Sequence, residues 1–358
     1  MFMRPKKPEP EVLARKTLGD LGFEFDKSKE GVLRHKESGK KYEYGFFGKE
    51  KKHNSEFYQQ ISNASSREVA NILVDDLNME PIAVPDKKQP HCNIYASPGA
   101  LKSKNLVVMV GGNVNFCGVW AWNVLVKHGL RKGTMMEYIR ECTKRGYGVM
   151  VLNPYENIIA SDGVTETFNS YSGHSVDING SETADEHVGY VWSRIIRGSG
   201  VEKVAFVSYN TGGIAVANVL KYDYTRFTKK VAGVAFIDST HSDFQLGSGP
   251  VAWIQAAANH WVTSHESRGS RVENGRTGCL TMSAGNNTDC RELTPSLCMD
   301  LVLEFIDKCF VCGMVVDIPE TMPNEQTVLE AVNVIATPSE AQMRLTTPVQ
   351  QDGYYGWE

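Results

Sequence analysis

Short, unbroken apolar runs that stop abruptly at small or polar residues constrain this chain more than any other feature. Asn105–Val110 stops at Gly111-Gly112, and Gly148–Leu152 at Asn153-Pro154. Val204–Val207 runs into Ser208, and Val231–Ile237 ends at Asp238. Between them lie segments with helical spacing of apolar residues: Thr134–Arg145, Ala184–Ile196 and Gly213–Leu220. A further strand at Cys279–Ser283 and a last helix at Pro295–Phe310 extend the series. Strands apolar on both faces and joined through helices predict a parallel sheet covered on both sides. The expected fold is therefore α/β, doubly wound, with ligand chemistry at the carboxyl ends of the strands.

The ends of the chain are patterned differently. Thr17–Tyr44 carries short apolar patches separated by Gly31 and Ser38-Gly39, which predicts a small hairpin or meander. Ser55–Met79 has helical spacing, and Ile82–Val84 and Asn93–Tyr95 read as short strands. The expected organisation is a flexible tail (1–16), a hairpin-plus-helix extension packed on the main domain (17–80), the α/β domain (81–316) and a mostly irregular tail (317–358). One helix is expected in that tail near Thr327–Val334. Ile158–Gly180 reads as a surface loop. Phe244–Arg276, with Trp253, His260, Trp261 and His265, reads as a lid-like insertion (about 244–276) over the carboxyl edge.

Charge and cysteine content remove several function classes. Lys plus Arg number 38 against 42 Asp plus Glu, a net charge of −4, which argues against a broad footprint for duplex nucleic acid. No apolar run approaches the ~20 residues that span a bilayer, so no membrane partner is expected. The start of the chain lacks a secretory apolar region, and eight cysteines in 358 residues suit reduced thiols in an intracellular compartment, nuclear or cytoplasmic. Arg4, Lys6 and Lys7 make only a weak import signal. Cys309 and Cys312 form a CxxC without a second pair, so no metal is expected. Lys49, Lys51, Lys52 and His53 read as a solvated face.

The chemistry should sit at Val204-Ala-Phe-Val-Ser-Tyr-Asn-Thr-Gly-Gly213. A buried strand, a turn with small neighbours and then a helix is the setting of a nucleophile elbow, which needs small residues two before and two after the nucleophile. Ser208 and Gly212 meet that need, so Asn210 stands where the nucleophile belongs. An amide has no nucleophilic oxygen to activate at neutral pH. Asn210 also suits a helix cap.

The sequence resembles the Argonaute-binding-protein-two domain family, α/β-hydrolase-like proteins that include the cotranscriptional regulators called "family with sequence similarity 172". The matching stretches are Leu18-Gly-Asp-Leu-Gly-Phe with Leu33-Arg-His, Gly146–Asn157, and Glu186-His187 with Tyr190-Val-Trp192. The elbow, Ile237-Asp-Ser-Thr-His241, and Ser283-Ala-Gly with Arg291-Glu-Leu-Thr294 complete the match. The resemblance implies an α/β-hydrolase-like sheet whose former triad falls on Asn210, Asp238 and Arg291. Many relatives carry Ser at the first of these and His at the last, and a His-Gly is common where this chain has Gly111-Gly112. Guanidinium stays protonated, so Arg291 cannot serve as a base.

No catalytic residue, cofactor or metal is therefore expected. Asn210, Asp238 and Arg291 are degenerate triad positions, and Gly111, Gly112, Thr211, Gly212, Ser239 and His241 line the vestigial pocket and oxyanion region. Arg291 facing Asp238 would form a charge-assisted pair. The resemblance implies an interaction subunit in RNA-silencing, chromatin or cotranscriptional assemblies, with Argonaute-type or histone-modifying proteins as partners. Two alternatives stay open. One is a residual esterase using Thr211, Ser208 or Ser239 with Asp238 and His241, although Asp-Ser-x-His also suits a hydrogen-bonded turn. The other is a small-anion sensor using Arg291. His187, beside Glu186, reads as a packing residue, and the sequence carries no sign of an oligomeric state.

Overall fold

A hairpin comes first: β1 (Phe23–Phe25) pairs antiparallel with β2 (Leu33–His35). The computed structural model describes residues 15–48, 51–112, 116–160, 163, 165–166, 175–273, 276–286 and 290–312. Phe23 is fully buried, with Tyr42 and Phe46 edge-on at 5.4 and 5.1 Å between ring centres. Burial of such a ring contributes ~1.5–3 kcal/mol, and each edge-to-face pair about 0.5–1.5 kcal/mol more. Helix α1 (Lys51–Asp75) lays Ile61 and Ala64 on this cluster and Val69 and Leu73 on the residues beyond it. It starts and stops four residues earlier than its spacing suggests, and beyond its end Asn78, at φ 53°, turns the chain into the first strand of the main sheet.

That sheet is built in chain order from β3 (Glu80–Val84), β4 (Cys92–Ala96) and β5 (Asn105–Val110). After β5 come α2 (Trp122–His128), α3 (Leu130–Gly133) and α4 (Met136–Lys144), then β6 (Gly148–Val151). A separate three-stranded sheet of β7 (Ile158–Ala160), β8 (Thr165–Glu166) and β9 (Ser175–Asp177) precedes α5 (Ala184–Tyr190). The main sheet resumes with β10 (Lys203–Tyr209), α6 (Gly212–Tyr222), α7 (Tyr224–Lys230), β11 (Val231–Ile237), α8 (Ser248–Ala257) and β12 (Ala258–Val262). A short β13 (Arg271–Val272), β14 (Leu280–Ser283), α9 (Thr294–Leu297) and α10 (Met299–Cys312) complete it.

In space the strands lie in the order β13-β14-β12-β11-β10-β5-β6-β4-β3. The six from β14 to β6 are parallel, and β4 and β3 add an antiparallel edge. Counted from β3 without β13, the order is 1-2-4-3-5-6-7-8, an α/β-hydrolase sheet. The fold is thus the one expected.

Local chemistry explains where the elements stop. Helix α4 buries Met136, Ile139 and Cys142 and then ends on Gly146 at φ 76°. There Gly146 N–H donates to the Thr143 carbonyl (2.9 Å) and Tyr147 N–H to the Cys142 carbonyl (3.1 Å), a Schellman closure that feeds the chain straight into β6. Thr183 caps α5 by accepting the Glu186 N–H at 3.2 Å. Helix α10 sets Val302, Leu303, Ile306 and Cys309 against the sheet.

Two expectations need correction. Residues 244–276 are not a lid: α8 and β12 continue the strand–helix alternation, and β12 lies inside the sheet between β11 and β14. Trp253 and Trp261 are core, at 1% and 2% exposure. Asn259 and His260 break the apolar run of β12, which is why it does not read as a strand. The stretch 158–180 is not simply a loop, since its described parts form the β8-β7-β9 sheet. The tails 1–14 and 313–358, with the helix expected near 327–334, lie outside the described residues.

Candidate functional site

The elbow is built by β10, α6 and the turn between them. Asn210 sits at φ 49°, in the left-handed region that Asn enters more readily than other side chains. Its N–H donates to the Ile237 carbonyl at 2.9 Å, and its own carbonyl accepts the Gly213 N–H at 3.1 Å. The turn is tight. A Cβ on Gly212 would come within 2.3 Å of the Gly111 carbonyl oxygen, and one on Gly112 within 2.3 Å of the Tyr209 carbonyl oxygen. In a hydrolase the N–H after the nucleophile serves the oxyanion hole. Here that donor, the Thr211 N–H, is taken by the Asn210 side-chain Oδ1 at 2.8 Å. Asn210 does not cap α6 in the usual way; it closes the elbow on itself. The Thr211 hydroxyl is held by a short hydrogen bond with Tyr155.

Asp238 follows β11 and also has positive φ, 46°. Tyr209 pairs in register with Ile237, so the two turns lie side by side. Arg291 starts the short turn before α9, and its carbonyl oxygen lies 2.5 Å from the Thr294 Oγ1, which also donates to Asp238 Oδ2 at 3.0 Å. Thr294 therefore links the Arg291 backbone to the Asp238 side chain, while Asn210 lies at the end of the neighbouring strand β10. The expected Asp238–Arg291 ion pair does not form: among the described residues no ion pair joins them, and the Arg291 side chain is exposed. Burial pushes the Asp238 carboxyl up from its ordinary range, against the pull of the Thr294 hydrogen bond and the more distant Arg291 charge. Thr294, fully buried, is the partner that sequence reasoning missed, although it ends the matched Arg-Glu-Leu-Thr.

His241 does not pair with Asp238 either. Its Nε2–H donates to the Thr277 carbonyl at 3.0 Å, which leaves Nδ1 to accept the Ser239 hydroxyl at 2.8 Å. Both residues are buried, and the imidazole stacks on Phe236 at 3.9 Å. Burial lowers its pKa to about 4. His260 accepts the Ser239 N–H on Nε2 at 3.0 Å, and burial lowers it to about 3. Ser208 is fully buried inside β10 and cannot meet a substrate. His187 is a satisfied core residue: it accepts the Asn153 N–H at 3.1 Å on Nε2, which leaves Nδ1–H to donate to Ser181 Oγ at 2.7 Å. Burial alone lowers it to about 3.

Among the described residues, no three His, Cys, Asp or Glu side chains are grouped so that they could hold a metal ion. Cys309 is buried, and the Cys312 side chain lies outside the described set. No described helix is long and apolar enough to cross a membrane.

The profile of the Arb2 domain matches residues 14–268. The chain belongs to the Arb2-domain family. The matched part of this Arb2 protein runs from the hairpin past β12 and includes Asn210 and Asp238. "Cotranscriptional regulator ARB2A homolog" of Gallus gallus is 28% identical over 334 residues, covering 81% of this chain and 79% of the relative. "Cotranscriptional regulator ARB2A" of Homo sapiens is 27% identical over 334 residues with the same coverage. Among solved structures, a histone deacetylase from Saccharomyces cerevisiae aligns with a TM-score of 0.44 at 14% identity, over 69% of this chain and 97% of that one. Naproxen esterase from Bacillus subtilis aligns at 0.37 and 10% identity, over 69% and 98%.

Proposed function

We propose that this Arb2 protein is a catalytically inactive α/β-hydrolase-fold subunit that works by binding other proteins in cotranscriptional regulation. The observation that carries the first half is the Asn210 Oδ1 on the Thr211 N–H at 2.8 Å. One side chain both replaces the nucleophile and fills the oxyanion donor, while Arg291 supplies no base. The second half rests on the relatives, whose names describe cotranscriptional regulators. In that reading the protein works in the nucleus, and Argonaute-type or histone-modifying complex subunits are the partner class. Assay with short acyl esters tests the inactive reading: turnover should match the uncatalysed background.

A second reading has one observation in its favour, the 2.8 Å contact of Ser239 with His241. Ester turnover lost in Ser239→Ala or His241→Ala would make that pair a residual esterase. Turnover lost in Thr211→Ala would move the nucleophile to the elbow instead. Either result would overturn the interaction-subunit proposal as stated.

A further inference from the structure

The cavity of about 340 Å³ beside Asn153, walled by α1, β4 and the loop after β6, is lined by charges of both signs. The opposite, amino edge of the sheet is one-sided. Residues 191–230 hold seven Lys and Arg against Glu202 and Asp223, a local excess of five in a chain whose net charge is −4. Helices α6, α7 and α8 contain no Asp or Glu. At the end of α6 a fixed frame forms. Asp223 accepts the Arg197 Nη1–H on one oxygen at 3.1 Å and the Arg226 Nη1–H on the other at 3.0 Å. The Trp192 Nε1–H donates to it as well, at 2.8 Å. One carboxylate thus holds two guanidiniums and neutralises one of them. Lys230, the last residue before β11, adds a cation held by the Arg197 and Ser199 carbonyls at 3.1 and 3.0 Å. Arg194, Lys221 and Lys229 each stand within three residues of a member of this frame; all are exposed, with no ion pair among the described residues. Tyr222 is 78% exposed, and the Lys221 ammonium lies 5.4 Å from its ring centre.

We infer that this face docks a short acidic segment, rich in Asp or Glu, of a partner protein. The exposed cations Arg194, Lys221 and Lys229 supply the attraction, and the frame behind them keeps the face positive. Guanidinium forks suit carboxylates, and two of them are already ordered here. Tyr222 places a rigid aromatic contact among the cations, the residue type that anchors protein interfaces. Charge also limits the length of the occupant. With an excess of five here and −4 overall, the rest of the chain is acidic and repels a long polyanion such as RNA. A short acidic peptide stays within the patch. This inference rests on the reading of the protein as an interaction subunit, and adds where a partner is held and by what chemistry. The two fail separately: ester turnover would overturn that reading, whereas absence of peptide binding would leave it standing with another surface.

The test is fluorescence anisotropy of the full chain with fluorescein-labelled decaglutamate in ~150 mM salt, where long-range surface attraction is screened. Binding should saturate below ~0.5 mM protein, and Arg194→Glu combined with Lys229→Glu should weaken it about tenfold or more. Lys27→Glu combined with Lys29→Glu makes the same charge change in the exposed β1–β2 turn and should leave binding within about twofold. The circular dichroism spectrum should be unchanged in both. If the first pair unfolds the protein, Lys221→Glu takes its place. Failure to saturate, or an equal loss from the two double substitutions, would overturn the inference. So would tighter binding of a labelled dodecauridylate that the same patch substitutions abolish, since the face would then be an RNA surface.

Discussion

The elbow at Asn210 and the cavity beside Asn153 share one edge of the sheet, yet their polar groups are disposed in opposite ways. At the elbow each group that a hydrolase would aim at substrate is turned on the protein. Asn210 Oδ1 covers the Thr211 N–H, Thr294 covers Asp238, and His241 is consumed by Ser239 and Thr277. At the cavity, a buried amide oxygen has no partner among the described residues and a carboxylate is fixed nearby. Both regions contain an Asn at the end of a parallel strand. The difference lies in what each amide is asked to satisfy.

The comparison would break most visibly under acid. His187 supports the cavity side, and His241 and His260 lie beneath the elbow. In all three, burial holds the folded pKa at about 3 to 4, below the ordinary 6.5. The unfolded chain therefore takes up these protons first. Their contribution is whole above about pH 6.5 and is lost as pH falls toward about 4, by ~2 kcal/mol for each histidine at pH 5. Urea unfolding at pH 7.5 and 5 should show that loss, with three imidazoles still neutral by NMR in the folded protein at pH 5. Imidazolium resonances from these residues in the folded state would show that one of the two regions is open to water.

Next in size is a backbone contrast. Gly112→Ala places a Cβ against the Tyr209 carbonyl and the Thr211 N–H and should cost ~3 kcal/mol or more, since no backbone there can retreat. Gly146→Ala meets open space and only the strain of φ 76°, so about 1 kcal/mol is expected in thermal unfolding. Equal losses would mean that the elbow has relaxed along with its chemistry.

Thr294→Val should cost ~1–3 kcal/mol, because it strips the hydroxyl from a partly buried carboxylate. Arg291→Ala should change stability by no more than about 0.5 kcal/mol, as expected of an exposed side chain with no ion pair among the described residues. A clear loss at Arg291 would restore the pairing that its family position suggests.

Much of this arrangement is legible in the residues. The runs Asn105–Val110 and Val231–Ile237 read as strands because nothing polar interrupts them, and the elbow reads as an elbow because Ser208 and Gly212 bracket Asn210. β12 hides because His260 and Asn259 sit inside it. A buried histidine looks like a break until its partners, the Ser239 N–H and Thr281, are seen. Arg291 misleads for a different reason: position in a motif gives the backbone's location, and the long side chain then leaves for water. Asn153 and Glu156 stand in a distinctive stretch, Asn-Pro-Tyr-Glu-Asn, but one stretch cannot reveal that α1 closes a cavity over them.

The central claim is that the elbow is closed by its own asparagine. Intact-protein mass measured after incubation with a fluorophosphonate, which traps activated serine and threonine hydroxyls, tests it most directly. The unmodified protein should keep its mass unchanged, and so should Asn210→Ser, which regains a hydroxyl but has no base within reach. A stoichiometric adduct on the unmodified chain, mapped to Thr211 or Ser239, would contradict the account.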